Sequence, residues 1–199
     1  DVIPDIIKVL PELRTGREKN FHMPRLCPVC GKAVKKMLEG GVGMYCLNQK
    51  CPARHREWMY HFVSRKAFNI DGLGPKILNA FLDYGLIQDI PDIFELKEGD
   101  IVPLERFGEK SAENIIKSIN NAKKITLASF IYALGILHVG EETAIDLAEY
   151  FGSFEKIECA ELAELNNIPI IGVVVAKSLY EWLRDVHNKN LIKKLLKHI

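Results

Sequence analysis

The stretch that decides the fold is IDGLGPKILNAFL at positions 70–82, because its pattern recurs along the chain. Gly74 opens the segment GPKILNAFL, Gly108 opens GEKSAENII, Gly140 opens GEETAIDLA and Gly172 opens GVVVAKSLY, at spacings of 34, 32 and 32 residues. After each glycine, small or apolar residues return at helical intervals and face one side. Turn glycines in an ordinary helical protein fall irregularly. Even spacing marks four copies of one supersecondary unit, a turn followed by a helix. Outward from these copies, the region 58–199 reads as helices broken by short glycine turns. The fold class is mainly α.

The turns carry chemistry of their own. In the first, Asp71-Gly72-Leu73-Gly74 runs into Pro75, and proline at the first helical position is a helix-start signal. Gly72 and Gly74 permit positive φ and leave the backbone bare to an approaching group. A helix N-terminus offers unpaired N–H donors and partial positive charge, which suits phosphate. Lys76 and Lys110 follow their glycines by two residues, and Ser111 adds a hydroxyl after Gly108. Such contacts read a nucleic-acid backbone and ignore base sequence. The third repeat places Glu141 and Glu142 where lysine would serve phosphate, while Gly135, Gly140 and Thr143 keep backbone and hydroxyl donors. His138 beside it is either a DNA contact or a hydrogen-bonded turn histidine. The fourth reads Pro169-Ile170-Ile171-Gly172 with Val173 and Val174 after it. Its role stays open between a DNA contact and a packing repeat that completes the helical core.

Upstream lies a cysteine cluster, Cys27-Pro28-Val29-Cys30 and Cys46-Leu-Asn-Gln-Lys-Cys51, with fifteen residues between the pairs. Two short loops each bringing two thiolates to one centre make a tetrahedral Zn²⁺ site. Gly31, Pro28 and Pro52 favour tight knuckle turns. About thirty residues enclose too little apolar volume to fold alone, so the metal supplies folding energy. Disulfides and a redox pair are the competing readings. The first needs an oxidising compartment, and the second needs a thioredoxin-like strand-to-helix context that is missing here. Four protein ligands close the site, which makes the zinc structural. Cys159, alone in a helical stretch, is expected to be a buried small apolar residue.

Residues 1–13 carry Val2, Ile3, Ile6, Ile7, Val9 and Leu10 and read as a short strand. A lone strand is unstable, so its partners are expected outside this chain. Residues 14–25 are polar and basic, a linker closed by Pro24. The expected division is 1–23 strand and linker, 24–57 zinc finger, and 58–199 repeated helical domain.

The chain has 199 residues, a net charge of +1 and 48% apolar residues, ample for a core. The charge divides unevenly. Residues 1–66 hold 13 Lys/Arg against 6 Asp/Glu, and residues 67–199 hold 14 against 20. A basic first third suits an anionic partner. Arg54, His55, Arg56, Arg65 and Lys66 form either a DNA-facing patch or a solvated face. Trp58 and Trp182 fall on apolar helical faces and belong with the core. Lys193, Lys194 and Lys197 suit a solvated helix end. No apolar run approaches the roughly 18 residues of a membrane span, and no secretory signal opens the chain, so membranes are excluded as partners and a cytoplasmic location is expected. The start without Met reads as a fragment or a trimmed chain.

Taken in order, DVIP at 1–4, CPVCG at 27–31, CPA at 51–53, HFVSR at 61–65, IDGLG at 70–74 and ALGILHVGE at 133–141 resemble bacterial-type NAD-dependent DNA ligases. The resemblance covers essentially the whole chain. It implies a four-cysteine zinc finger and a tandem helix-hairpin-helix domain, with residues 1–13 as the last strand of an oligonucleotide-binding (OB) barrel. The implied role is to hold duplex or nicked DNA for nick sealing in replication and repair. NAD and Mg²⁺ would serve the complete enzyme and bind elsewhere. The implied partners are DNA and upstream nucleotidyltransferase and OB domains, with the chain a monomer. That family forms lysyl-AMP at a KxDG motif. The nearest match here, Asn69-Ile70-Asp71-Gly72, has an amide where the nucleophile must stand, so this chain alone is expected to be inactive. The rival classes are a non-enzymatic zinc and hairpin DNA-repair adaptor, and a zinc-ribbon protein-interaction module.

Overall fold

The computed structural model describes residues 5–36, 41–48, 50–105 and 107–199. Two compact units divide the chain after Cys51.

In the first unit, residues 5–10 take no regular structure and Pro11–Leu13 form one 3₁₀ turn. The strand expected over 1–13 is therefore not formed by its described part, and residues 1–4 lie outside the described residues. The reason is the one that makes any lone strand fail: among the described residues no other strand pairs with it. Ile6, Ile7 and Val9 stand exposed. Regular structure begins at the cysteines. Strand β1 (Val34–Lys35) pairs antiparallel with β2 (Tyr45–Cys46), with Val34 opposite Cys46 and Lys35 opposite Tyr45. A single bridge joins Leu26 to Ala33. Among the described residues of this unit, Cys27 and Cys51 alone are buried, while Phe21, Leu26, Val29 and Leu47 are exposed. These described residues form no apolar core.

The second unit is helical throughout. Its helices are α1 (Pro52–Val63), α2 (Pro75–Asp83), α3 (Glu98–Ile101), α4 (Glu109–Ala122), α5 (Leu127–Ala133), α6 (Glu141–Phe151), α7 (Phe154–Cys159), α8 (Leu162–Asn166), α9 (Val173–Arg184) and α10 (Val186–Leu195). Helix α1 starts at Pro52, six residues before the expected start at 58, because proline at the first helical position is already set for helix. The helices after the repeat glycines bury one face each: Leu78 and Phe81 on α2, Ala112, Ile115 and Ile119 on α4, Ala144, Leu147 and Phe151 on α6, and Ala176, Leu179 and Leu183 on α9. The i, i+3, i+7 spacing forms the inward stripe of an amphipathic helix.

These buried faces belong to one core, and within it a chain of aromatic contacts links α1, α5 and α7. Phe62 of α1 stacks on Phe68 at 4.2 Å, Phe68 lies 6.3 Å from Phe130 of α5, and Phe130 meets Phe154 of α7 edge-on at 5.2 Å. Removing Phe68 would open a cavity at the centre of that chain, at about 3–5 kcal/mol. Between α2 and α3 the connection is a 3₁₀ helix over Ile90–Glu95, held by carboxylates. Asp92 Oδ2 accepts from the amides of Gln88 and Asp89, and Asp89 Oδ1 accepts from Ile90. Cys159 is exposed, contrary to expectation. Helix α7 turns Phe154 and Ile157 inward, and position 159 falls on the outer side.

Candidate nucleic-acid interface and metal site

The four cysteines of the first unit meet at one point. Their sulfurs all lie within 4.8 Å of one another, with Cys27 and Cys51 at 3.9 Å and Cys30 and Cys46 at 3.5 Å. Four sulfurs about 2.3 Å from a tetrahedral Zn²⁺ stand roughly 3.8 Å apart, so the donor set fits that ion. The local backbone brings them there. Gly31, at φ +68°, donates to the Cys27 carbonyl at 2.9 Å, Cys27 N–H donates to Lys32 at 2.8 Å, and Cys51 N–H donates to Asn48 at 3.0 Å. The Asn48 side chain stabilises the Cys30 thiolate and holds that thiol down to about 6. At Cys46 the Asn48 backbone acts in the same direction, yet burial and the neighbouring thiols outweigh it and push the group up to about 12. Thiols this close resist ionising together until a cation offsets their charge. Cys30, Cys46, Cys27 and Cys51 thus form a closed set with no place for a substrate.

The four repeats superpose in their hydrogen bonding. Leu73 N–H donates to Ile70, Phe107 to Leu104, Val139 to Ile136 and Ile171 to Ile168, at 3.2, 3.1, 3.0 and 2.9 Å. Each is the closing bond of a β-turn that delivers the chain to a helix N-terminus. Leu78, Ala112, Ala144 and Ala176 then donate to the glycine carbonyls at 74, 108, 140 and 172. The third position of the turn varies. Gly72 has φ +78° and His138 has φ +68°, as a type II turn requires. His138 is therefore the third repeat's counterpart of Gly72. The second repeat carries Arg106 there, outside the described residues. Ile170 does not take positive φ, because a β-branched side chain avoids that region.

The glycine that ends each turn is the opposite case. Gly74, Gly108, Gly140 and Gly172 have φ of −78°, −101°, −86° and −72°, values open to any residue. A Cβ built on any of the four would meet nothing within 4 Å. Neither backbone conformation nor internal packing demands glycine at these exposed positions, yet all four repeats have it. No side chain caps the four helices that follow. Their first N–H groups open on a face with no Cβ in the way.

The structure sorts the remaining candidates. Lys76 and Ser111 are exposed beside their glycines, and Thr143 is half-buried on α6. Lys110 pairs with Glu113 at 2.8 Å on its own helix. Lys66 pairs with Glu141, which holds its ammonium above the usual lysine range. Arg65 is exposed. Arg56 is engaged inside the fold: it bonds Asn79 and Asp83, the latter at 2.6 Å, and Asp83 raises it above its ordinary value. His55 donates to the Gln88 carbonyl at 2.9 Å. Gly135 sits apart from the glycines that end the turns. At φ +64° it closes α5, its amide donates to Tyr132 at 3.1 Å, and its Cα lies against the Trp58 indole, where a Cβ would stand 3.1 Å from Cδ1. Trp58 packs on the core and donates to Leu134 at 3.2 Å, as expected of a core residue.

One feature escaped the reading of the sequence. Beside hairpin one, Asp71 and Gly72 border a groove lined along α4 by Ser111, Asn114, Ser118 and Asn121. These residues recur at helical spacing and form a polar stripe with Lys117 beside it, and that period was the signal.

The comparisons agree with this geometry. Residues 27–53 match the model of the NAD-dependent DNA ligase C4 zinc finger domain, 65–121 a SAM-like helix-hairpin-helix tandem, and 129–192 a helix-hairpin-helix motif. The chain is 45% identical over 195 residues to a DNA ligase of Desulfitobacterium hafniense, 45% over 196 to one of Halothermothrix orenii, and 42% over 194 to one of Thermomicrobium roseum. Each alignment takes in 98% of this chain, which spans under a third of each relative, 29%, 29% and 28% in turn. Matched in this order, zinc finger first and hairpins after it, the chain belongs to the NAD-dependent DNA ligase family, as the segment that carries the four-cysteine finger and the helix-hairpin-helix region.

Proposed function

We propose that this segment grips duplex DNA by its sugar-phosphate backbone, without regard to sequence, so that the complete ligase can seal a nick. The observation that supports the reading most strongly is the set of four glycines that nothing inside the fold requires. A bare Cα in front of uncapped helix N–H groups suits a phosphate oxygen arriving from outside. Gly72, Gly74, Lys76, Gly108, Lys110 and Ser111 serve the first pair of hairpins. Gly140, Thr143 and the turn at His138 serve the third, and Arg65 and Lys66 lie just before the first. Gly135 supports the third hairpin from below, by letting α5 close against Trp58.

Cys27, Cys30, Cys46 and Cys51 would hold a structural Zn²⁺, which supplies the first unit with the cohesion its exposed apolar side chains do not. The exposed Ile6, Ile7 and Val9 suit a final strand added to an OB barrel. Nucleotide chemistry belongs to an upstream nucleotidyltransferase domain, with NAD and Mg²⁺ as its cofactors. No described helix is long and apolar enough to cross a membrane, and a monomeric, cytoplasmic enzyme is the setting that fits.

The test is a pair of measurements on the zinc-loaded chain. It should bind nicked and intact duplex with an affinity that falls steeply with salt. It should take up no AMP from NAD, since no Lys-x-Asp-Gly occurs in its sequence. A lysyl-AMP adduct, or absence of binding at low salt, would refute the reading.

A further inference from the structure

The four thiols of the first unit are alike as ligands and unlike in their surroundings. Cys27 is 7% exposed and Cys51 not at all, while Cys30 and Cys46 are half-buried and reach solvent. The sulfurs stand in two close pairs that divide along the same line. The covered pair is Cys27 with Cys51 at 3.9 Å, and the open pair is Cys30 with Cys46 at 3.5 Å. Each pair takes one thiol from the first cysteine loop and one from the second. The solvent-facing side of the cluster therefore presents two sulfurs within reach of each other.

We propose that Cys30 and Cys46 form an oxidation site: a peroxide converts the open pair to a disulfide, and the metal site opens. The proposal rests on reading the four cysteines as zinc ligands. With hydrogen peroxide, one outer thiolate attacks an oxygen, the O–O bond breaks, and a sulfenic acid and hydroxide result. The other outer thiolate then attacks that sulfur, the S–S bond forms, and a second hydroxide leaves. Two thiolates thus give two electrons to one peroxide, which ends as two hydroxides. The sulfurs need close by only about 1.5 Å to reach the roughly 2.05 Å of a disulfide. Burial withholds Cys27 and Cys51 from the oxidant. Two remaining donors cannot complete a tetrahedral site, and the described residues of this unit have no apolar core to hold the fold in its place. Thiol exchange reverses a disulfide, so a reductant would remake the four-thiolate set.

The experiment uses the full zinc-loaded chain carrying Cys159→Ser, which removes the exposed thiol outside the cluster. Hydrogen peroxide is added in rising amounts, and released zinc is read with a chromogenic chelator. Remaining thiols are alkylated in denaturant before digestion and mass spectrometry. Zinc release should track one disulfide, Cys30 to Cys46, about tenfold more abundant than any that includes Cys27 or Cys51. Dithiothreitol with added zinc should then restore the original metal content. Other disulfides in equal or greater amount would overturn the proposal. So would zinc loss through sulfinic and sulfonic acids alone, zinc retained under peroxide that oxidises free cysteine, or failure of reduction to restore the metal. All of these leave the zinc reading intact. A chain that carries no zinc before peroxide is added would refute that reading, and the proposal with it.

Discussion

Hairpins one and two differ from hairpins three and four more than their shared hydrogen bonds suggest. All four turns close with the same bond and end on the same open glycine. The first pair then sets Lys76 and Lys110 beside the helix N-terminus. The second pair sets Glu141 and Glu142 in one copy, and Val173 and Val174 in the other. An acid in the first turn, Glu109 in the second hairpin and Glu141 with Glu142 in the third, stabilises its own helix through the dipole and repels phosphate. Only in the second hairpin does a lysine stand next to it. The first pair is built to hold charge, and the second has exchanged that for helix stability and apolar surface. The difference teaches that backbone geometry is the common element of the repeats, and side-chain chemistry is what each copy varies.

The comparison breaks most visibly if charge is reversed where it matters. Lys76→Glu with Lys110→Glu should weaken duplex binding on the order of 100-fold near physiological salt and flatten the salt slope by about two or more. Equal loss from Glu141→Gln with Glu142→Gln would mean that the pairs are not distinct. A smaller effect, and of opposite sign, is expected from Glu142→Lys. Placing a cation at the third hairpin should strengthen binding about threefold and steepen the slope by about one, readable in the same titration. Thermal melting should show a slight loss from the same change, since α6 gives up an acid at its N-terminus, about 0.3–1 kcal/mol. The smallest effect belongs to Lys66→Ala. In its pair with Glu141 the lysine is largely exposed and the glutamate about half, so melting should shift by less than about 1 kcal/mol. A large shift would make that pair a brace between the first and third hairpins.

Much of this was legible in the residues. The spacing of Gly74, Gly108, Gly140 and Gly172 located four turn-helix units, because a 3.6-residue period with a fixed turn survives any packing. Cys27, Cys30, Cys46 and Cys51 declared their cluster through loop lengths alone. What escaped depended on tertiary neighbours. Arg56 looked like part of a basic patch, but Asn79 and Asp83, more than twenty residues away, occupy its guanidinium. Cys159 looked buried because a helix of six residues has too short a period to assign its faces. Gly135 and Gly140 looked alike, yet one is required by the Trp58 indole and the other by nothing inside the molecule. Ile170 read equally well as contact or as core, and its exposure settles that its side chain is not part of the core.

The central claim is that the four turn-ending glycines serve an outside ligand and not the fold, and it can be tested by separating stability from binding. In Gly74→Ser with Gly108→Ser, a serine at each N-cap should leave melting unchanged or raise it slightly, since Ser caps helices a few tenths of a kcal/mol better than Gly. Its Cβ should keep phosphate from the N–H groups, so duplex affinity should fall about tenfold or more. Lost affinity with retained or higher stability is the result predicted. Lost stability, or wild-type affinity in a well-folded variant, would contradict the account.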